Sequence, residues 1–215
     1  MEYEIRYYYP TTELDIIINK IKNINDLNKG IRTYEKTMQF NHCDNRYDFY
    51  TKEIDGRFRV RLSSNEEYSK CKISWKRRLK EINTDINSEE EIELEIKYDE
   101  VSNLLFLINN VMHFPLIESY ERYRTTFYND EIEIAVDEYP FGIALEIESK
   151  SQNSDPKEII MKWSDILELD INNRYKLSWD DKYKELCLEQ NIEIFNEVAF
   201  DKPMPKVINI DEKKN

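Results

Sequence analysis

The sequence predicts an α+β fold: a closed antiparallel β-barrel of about eight strands enclosing a polar tunnel, with helices flanking it. Three observations lead there. Many segments alternate apolar and polar residues with period two, and few carry a helical period. These segments recur at fairly regular spacing with turn signals between them, which suits a sheet closed on itself. On nearly every one of them the polar positions are charged and tend toward a single sign.

Strands are expected at residues 2–8, 32–41, 57–63, 70–78, 91–98, 120–128, 131–137 and 143–149. Asn129-Asp130 and Pro140-Phe141-Gly142 read as hairpin turns. Thr12 can cap a helix over 13–22 that places Leu14, Ile17, Ile18 and Ile21 on one face. Asp99 can open a second over 100–113. Asp155-Pro156 begins a third, because proline suits a first helical position. Ser178 with Asp181 forms an acidic capping box for a fourth over 179–190. One domain is expected over 1–200, followed by a polar C-terminal tail over 201–215 that frays from Pro203. No repeat and no linker rich in Pro, Gly or Ser interrupts the chain.

Composition excludes several classes of function. The 215 residues carry a formal charge of −13, which argues against a protein built to coat duplex nucleic acid. Only three glycines occur, Gly30, Gly56 and Gly142, far apart, so phosphate loops that need clustered glycines are ruled out. His42 and His113 are the two histidines, too few for a His-rich zinc site, and they argue against a Ser-His-Asp hydrolase. Cys43, Cys71 and Cys187 are scattered and odd in number, as reduced thiols are. The start MEYEIRYYYP does not read as a signal peptide, and the longest apolar run, LLFLI at 104–108, is far short of a membrane span. A cytoplasmic protein is expected, with its oligomeric state open.

The alternation itself carries the chemical information. In RFRVRL, Arg57, Arg59 and Arg61 share one face and Phe58, Val60 and Leu62 the other. Lys70, Lys72, Lys76 and Arg78 oppose Cys71, Ile73 and Trp75. Glu91, Glu93 and Glu95 oppose Ile92, Leu94 and Ile96. Arg122 pairs with Arg124, Glu131 and Glu133 with Asp137, and Glu146 with Glu148. A half-solvated sheet explains any one of these strands. Taken together they repeat like charges along strand after strand, which repel unless opposite charge sits among them. With the charged side turned inward, basic walls can hold a polyanion through arginine forks. Carboxylate walls can hold a divalent cation, since hard cations take oxygen ligands.

On these motifs the chain resembles the CYTH proteins, or triphosphate tunnel metalloenzymes, a family that includes class IV adenylate cyclases, thiamine triphosphatases and inorganic tripolyphosphatases. The family's N-terminal E-x-E-x-K is matched by Glu2, Glu4 and Arg6, with arginine for lysine. Its R-x-R strand is matched by Arg59 and Arg61, a strand ending near a lysine by Lys76, and an E-x-E strand by Glu93 and Glu95. A basic strand is matched by Arg122 and Arg124. The closing D-x-x-x-x-G-x-x-x-E-I-E is matched by Asp137, Gly142, Glu146 and Glu148. The likeness spans most of residues 1–190, and its specificity lies in the order of six pieces. It implies metal ligands at Glu2, Glu4, Glu93, Glu95, Asp137, Glu146 and Glu148, and phosphate ligands at Arg59, Arg61, Lys76, Arg122 and Arg124. Catalytic roles fall to Arg6, Lys76 and Glu148. Arginine cannot be deprotonated, so Arg6 keeps a charge but cannot act as a neutral amine.

The function this implies is hydrolysis, assisted by Mg²⁺ or Mn²⁺, of a triphosphate-bearing small molecule: tripolyphosphate, or a nucleoside or thiamine triphosphate. Formation of cyclic AMP and pyrophosphate is the enzymatic alternative. A non-catalytic binder of nucleotides or polyphosphate is the other. A 5′-triphosphorylated RNA end stays among the ligands; duplex nucleic acid and membranes do not.

Overall fold

A strand with one charged and one apolar face must bury the apolar one, and here it does so on the outside of a curled sheet. The structure, a computed structural model, describes residues 2–51, 55–79, 87–151 and 154–208. Its strands are β1 (Glu2–Tyr9), β2 (Asn28–Lys29), β3 (Thr33–Phe40), β4 (Asp55–Ser64), β5 (Ser69–Leu79), β6 (Asn87–Ile96), β7 (Leu116–Tyr128), β8 (Ile132–Tyr139), β9 (Gly142–Ser149) and β10 (Glu197–Val198). The helices are α1 (Leu14–Lys22), α2 (Val101–Phe106), α3 (Pro156–Ile166) and α4 (Trp179–Gln190).

Eight strands form an antiparallel sheet, curled into a half-barrel, in the order β7-β3-β4-β5-β6-β1-β9-β8, and β8 pairs in turn with β7. The short β2 and β10 join β7. The seams differ in length. β4 and β5 pair from Asp55↔Arg78 to Ser64↔Ser69. β1 and β6 pair only through Glu2, Tyr3 and Glu4 against Glu89, Ser88 and Asn87 among the described residues.

The apolar faces pack outward against the helices. Ile5, Tyr7, Ile134, Val136, Leu145 and Ile147 meet Ile17 and Ile21 of α1 and Ile159, Ile160 and Trp163 of α3. Val60 and Cys71 meet Ile108 just beyond α2. α4 differs: its Trp179 and Tyr183 pack against Tyr120, Tyr139 and Phe141 at one end of the sheet's concave side. The hydrophobic cores therefore lie around the sheet, and the concave face is left to charge.

Local expectations hold where side-chain chemistry sets them. Asp155 accepts from the Lys157 amide with Pro156 at the first turn of α3. Ser178 and Asp181 form the capping box of α4, and Asn191 ends that helix in the left-handed region. Asn129 Oδ1 accepts from the Glu131 and Ile132 amides to turn the β7–β8 hairpin.

Three expectations are corrected. Thr12 does not cap α1; it sits inside a 3-10 turn over Thr11–Glu13 that leads into the helix with no side-chain cap. The helix expected over 100–113 breaks into α2 and a wide π-turn over Leu107–Val111, closed by His113 at φ 57°. The tail does not fray from Pro203: Met204 and Pro205 are buried, and the Val207 amide donates to the Phe141 carbonyl at 2.8 Å. The rest of the tail, from 209, lies outside the described residues.

Gly56 marks where β4 meets its outer cover. A Cβ there would collide with the Trp75 ring and stand 2.5 Å from the Phe49 carbonyl, whose oxygen accepts the Gly56 amide at 3.1 Å. Gly56→Ala is expected to destabilise the fold by about 1–3 kcal/mol, the usual range for overpacking. Urea unfolding checks this; an unchanged midpoint would show that the ring moves freely.

Candidate functional site

The inward parity of the strands converges on one cavity of about 240 Å³. Nine basic and six acidic side chains line it, so this interior is locally cationic in a chain of charge −13. Two walls hold these charges differently.

On the wall formed by β3, β7, β8, β9 and β1 the charges form an alternating relay. Arg122 Nε donates to Glu35 at 2.7 Å and its Nη1 to Asp137 at 2.8 Å. Arg124 donates from Nε and Nη2 to both oxygens of Asp137, each at 2.6 Å, and from Nη2 to Glu146 at 2.6 Å. Arg6 donates to the other oxygen of Glu146 at 2.7 Å and reaches Glu4 at 3.3 Å. Arg122 is 3% exposed and Asp137 is fully buried. Burial alone would raise the carboxyl pKa values of Glu35 and Glu146, but the facing arginines overcome it. Arg122 and Arg61 hold Glu35, and Arg6 and Arg124 hold Glu146, well below the usual carboxylate range. Burial likewise works against the charge on Arg6, yet Glu146 carries its pKa further up. Arg6 is a fixed cation here.

The wall of β4, β5 and β6 is less balanced. Arg57 meets Asp55 at 3.2 Å; Arg59 meets Glu91 at 3.2 Å, a carboxylate 3.7 Å from Lys76. Arg61 Nε donates to Thr37 Oγ1 at 3.2 Å and stands 3.9 Å from Glu35. Lys72 pairs with Glu93 at 2.6 Å. Burial, then the nearby cations Arg61 and Arg57, push the Arg59 pKa down despite Tyr120 and Glu91. Its Nε, buried, has no hydrogen-bond partner among the described residues. At one end α4 closes the cavity with aromatic rings: Trp179 lies 4.3 Å from Tyr120 and stacks at 9° on Tyr139. Burial would raise the Tyr120 phenol, but Arg122, Arg61 and Arg59 bring it down to about 8.

The structure brings Glu4, Arg6, Arg59, Arg61, Lys76, Glu93, Arg122, Arg124, Glu146 and Glu148 around this one cavity. Asp137 is corrected: sealed behind Arg122 and Arg124, it positions them and has no face on the cavity. Glu95 is corrected too; it faces Lys72 in register near the sheet's rim, exposed, and does not line the cavity. Both oxygens of Glu146 are committed to arginines. The side chain of Glu2 lies outside the described residues. Arg57, on the face that Arg59 and Arg61 share, also lines the cavity. Lys72, Glu91 and Glu133 share the parity of the chosen residues and were legible from it. Glu35 was hidden, because its strand alternates it with Thr33 and Thr37 on the inward face. Tyr120 and Tyr139 share the inward parity of β7 and β8, and Lys150 continues that of β9, each outside a charged motif; Trp179, on α4, carried no sequence signal for the site.

Among the described residues, no three His, Cys, Asp or Glu side chains stand close enough to form a preassembled metal site. The donor chemistry nonetheless suits a hard divalent cation. Glu4 faces Glu148 across β1 and β9, and Glu148 faces Glu133 across β9 and β8. All three line the cavity, giving a row of carboxylates on adjacent strands.

No family model matches the chain, and neither does any curated protein. Solved structures do match. A Pyrococcus horikoshii protein aligns with TM-score 0.66 at 24% identity, over 88% of this chain and 99% of its own. A candidate adenylate cyclase of Vibrio parahaemolyticus aligns with TM-score 0.59 at 16% identity, over 83% and 96%. A candidate adenylyl cyclase of Hippeastrum, described as having a dominant triphosphatase activity, aligns with TM-score 0.57 at 17% identity, over 90% and 98%. The chain thus has the fold of these three proteins along nearly their whole length, the fold that the CYTH resemblance implies. No helix is long and apolar enough to cross a membrane.

The lowered pKa values of Glu35 and Glu146 set a pH window. A carboxylate held below its ordinary value of 4.5 stabilises the fold above that value, and the contribution is lost as pH falls from there toward the folded pKa. Stability is therefore expected to fall steeply below about pH 4.5, and Glu146→Gln to flatten that slope while lowering stability at neutral pH by about 3–5 kcal/mol. Urea unfolding across pH 2.5–7 (chosen to span roughly both states) checks this; an unchanged acid slope in the variant contradicts the relay.

Proposed function

We propose that the protein is a divalent-metal-dependent phosphohydrolase that takes the triphosphate group of a small molecule into a β-barrel tunnel. The observation that carries this reading is Arg59. A buried guanidinium whose charge is disfavoured by burial and by neighbouring arginines, with an Nε that has no hydrogen-bond partner among the described residues, stands in a cavity where basic groups outnumber acidic ones. An anion with several negative charges relieves all of these strains at once. The return of β8 to β7 supports closure of the curled sheet into a tunnel.

In this reading Arg59, Arg61 and Lys76 contact the phosphates, with Lys72 toward the open end. Arg59 and Arg61 are two residues apart on β4, about 6–7 Å, so together they span more than one phosphate. Arg122, Arg124 and Arg6 are held rigid by Asp137, Glu146 and Glu35 and supply fixed positive potential where negative charge grows during transfer. Glu4, Glu148 and Glu133 would hold Mg²⁺ or Mn²⁺; such an ion supplies charge neutralisation at phosphate oxygens and acidifies a coordinated water. The three free thiols fit a cytoplasmic setting.

The triphosphatase activity described for the Hippeastrum protein supports hydrolysis. The likeness to the Vibrio protein favours cyclisation as a second reading. Incubation with Mg²⁺ or Mn²⁺ and either tripolyphosphate or ATP separates the two: orthophosphate release supports hydrolysis, and pyrophosphate with cyclic AMP supports the cyclase. No product from any triphosphate contradicts both.

Arg59→Ala is expected to weaken tripolyphosphate binding by roughly tenfold to a hundredfold, the value of one charge-assisted contact at ~1.5–3 kcal/mol. Orthophosphate, too short to reach both arginines, is expected to lose less. Calorimetric titration decides; equal losses for the two anions would contradict a clamp on several phosphates.

A further inference from the structure

We propose that Tyr120 sets the pH range in which the central cavity holds a polyanion: once ionised, its phenolate takes the place of a phosphate oxygen among Arg59, Arg61 and Arg122, and a triphosphate then binds only by returning a proton to it. This rests on the reading of the central cavity as a triphosphate site.

Three strands bring the hydroxyl and the arginines together. Tyr120 and Arg122 share the inward parity of β7, and the Arg122 guanidinium carbon lies 5.9 Å from the centre of the Tyr120 ring. Thr37 of β3 is the register partner of Tyr120 on one side and of Arg61 on the other. Arg61, Thr37 and Tyr120 therefore lie on one rung of the sheet, where Arg61 Nε donates to Thr37 Oγ1 at 3.2 Å. Arg59 precedes Arg61 on the same face of β4. Tyr120 is 2% exposed, and its ring packs on Trp179 at 4.3 Å and on Tyr139 at 5.8 Å. A ring fixed this way cannot swing its hydroxyl from the arginines without unpacking that end of the cavity.

The carboxylates nearby already have cations of their own. Glu35 on β3 and Asp137 on β8 accept from Arg122, and Glu146 on β9 accepts from Arg6 and Arg124. Glu91 on β6 meets Arg59 at 3.2 Å. The Tyr139 hydroxyl accepts from Arg122 Nη1 at 3.2 Å, and burial pushes that phenol up despite Arg122. From α4 come Trp179 and Asp180, the latter bonded to Lys184 at 3.0 Å, and β10 presents Val198. Glu118, the neighbouring inward residue of β7, is pushed up to about 7 by burial, then by Asp180. Tyr120 is the group on which the arginines of β4 and β7 act together, and against burial they bring its phenol down to about 8.

A bound polyanion neutralises the same three arginines and sets negative oxygens beside the hydroxyl. The phenol of the complex then titrates above that of the free protein, and linkage requires affinity to fall as pH rises from the lower value toward the higher. Well below pH 8, about where the free phenol titrates, the phenol is neutral in both states and the effect vanishes.

The test is the ultraviolet absorption of phenolate across roughly pH 6–10 for the full chain, with and without saturating tripolyphosphate in Mg²⁺, and for Tyr120→Phe, which keeps the ring. The parent is expected to ionise one phenol near pH 8. That step is expected to be absent from the variant and to move up by about one pH unit or more with tripolyphosphate. In calorimetric titrations with tripolyphosphate, the variant is expected to gain on the parent by about tenfold from pH 7 to pH 9; Glu118 is present in both and drops out of the ratio. A step that saturating tripolyphosphate leaves in place, or a first ionisation no lower than that of an ordinary phenol, overturns the proton link and leaves the central site standing. No binding of tripolyphosphate by the parent at neutral pH overturns both. If the variant does not fold, the response of the parent's own step to tripolyphosphate decides.

Discussion

The structure depends on the relay Glu35–Arg122–Asp137–Arg124–Glu146–Arg6–Glu4, which ties five strands together through alternating charge. Burying so many ions is costly unless each is paired and hydrogen-bonded. Here every link answers to a neighbour of opposite sign, and Asp137 at the centre is fully buried between two arginines. Removing one member leaves an uncompensated buried charge, so the relay behaves as a unit. It also fixes where the cations point before any ligand arrives.

The rest of the architecture follows from turning that charged face inward. With the concave side polar, the apolar residues of the strands have to be covered from outside, and α1, α2 with its π-turn, and α3 do so in separate clusters. α4 is placed differently because Tyr120 and Tyr139 lie on the inward parity at one end, and Trp179 closes over them. The two ends of the cavity differ in lining: Asp55, Glu118, Asp180 and Asp181 stand with Arg57 and Lys184 at the end under α4, and Lys29, Lys72 and Arg124 stand with Glu35 and Glu133 at the other. On the wall of β4, Arg59 Nε has no hydrogen-bond partner among the described residues, and on the relay wall neither has Arg122 Nη2, which stands 2.7 Å from Glu35.

Much of this was legible in the sequence because a β-strand exposes its two faces at alternate positions. RFRVRL, EYEIR and ALEIES each declare an inward face without any knowledge of their neighbours. What could not be read was pairing across strands. Asp137 and Glu146 look alike in an alternating acidic strand, yet register sets one behind two arginines and the other between them and Arg6. Glu95 shares the parity of Glu93 but lies one rung too near the rim. Glu35 sits among threonines, so its strand shows no charge pattern. Thr12 failed as a cap because the chain enters α1 through a 3-10 turn that leaves its side chain nothing to bond. The tail docks through the Val207 backbone, a contact that residue type does not announce.

The central claim is that the folded chain holds a triphosphate in its cationic interior. The most direct test is the melting temperature of the full protein in rising tripolyphosphate, against sodium chloride at matched ionic strength. A ligand that binds only the folded state raises the melting temperature with the logarithm of its concentration once the site is filled. The account predicts such a rise with tripolyphosphate and none with chloride. Identical melting curves in the two series would contradict it.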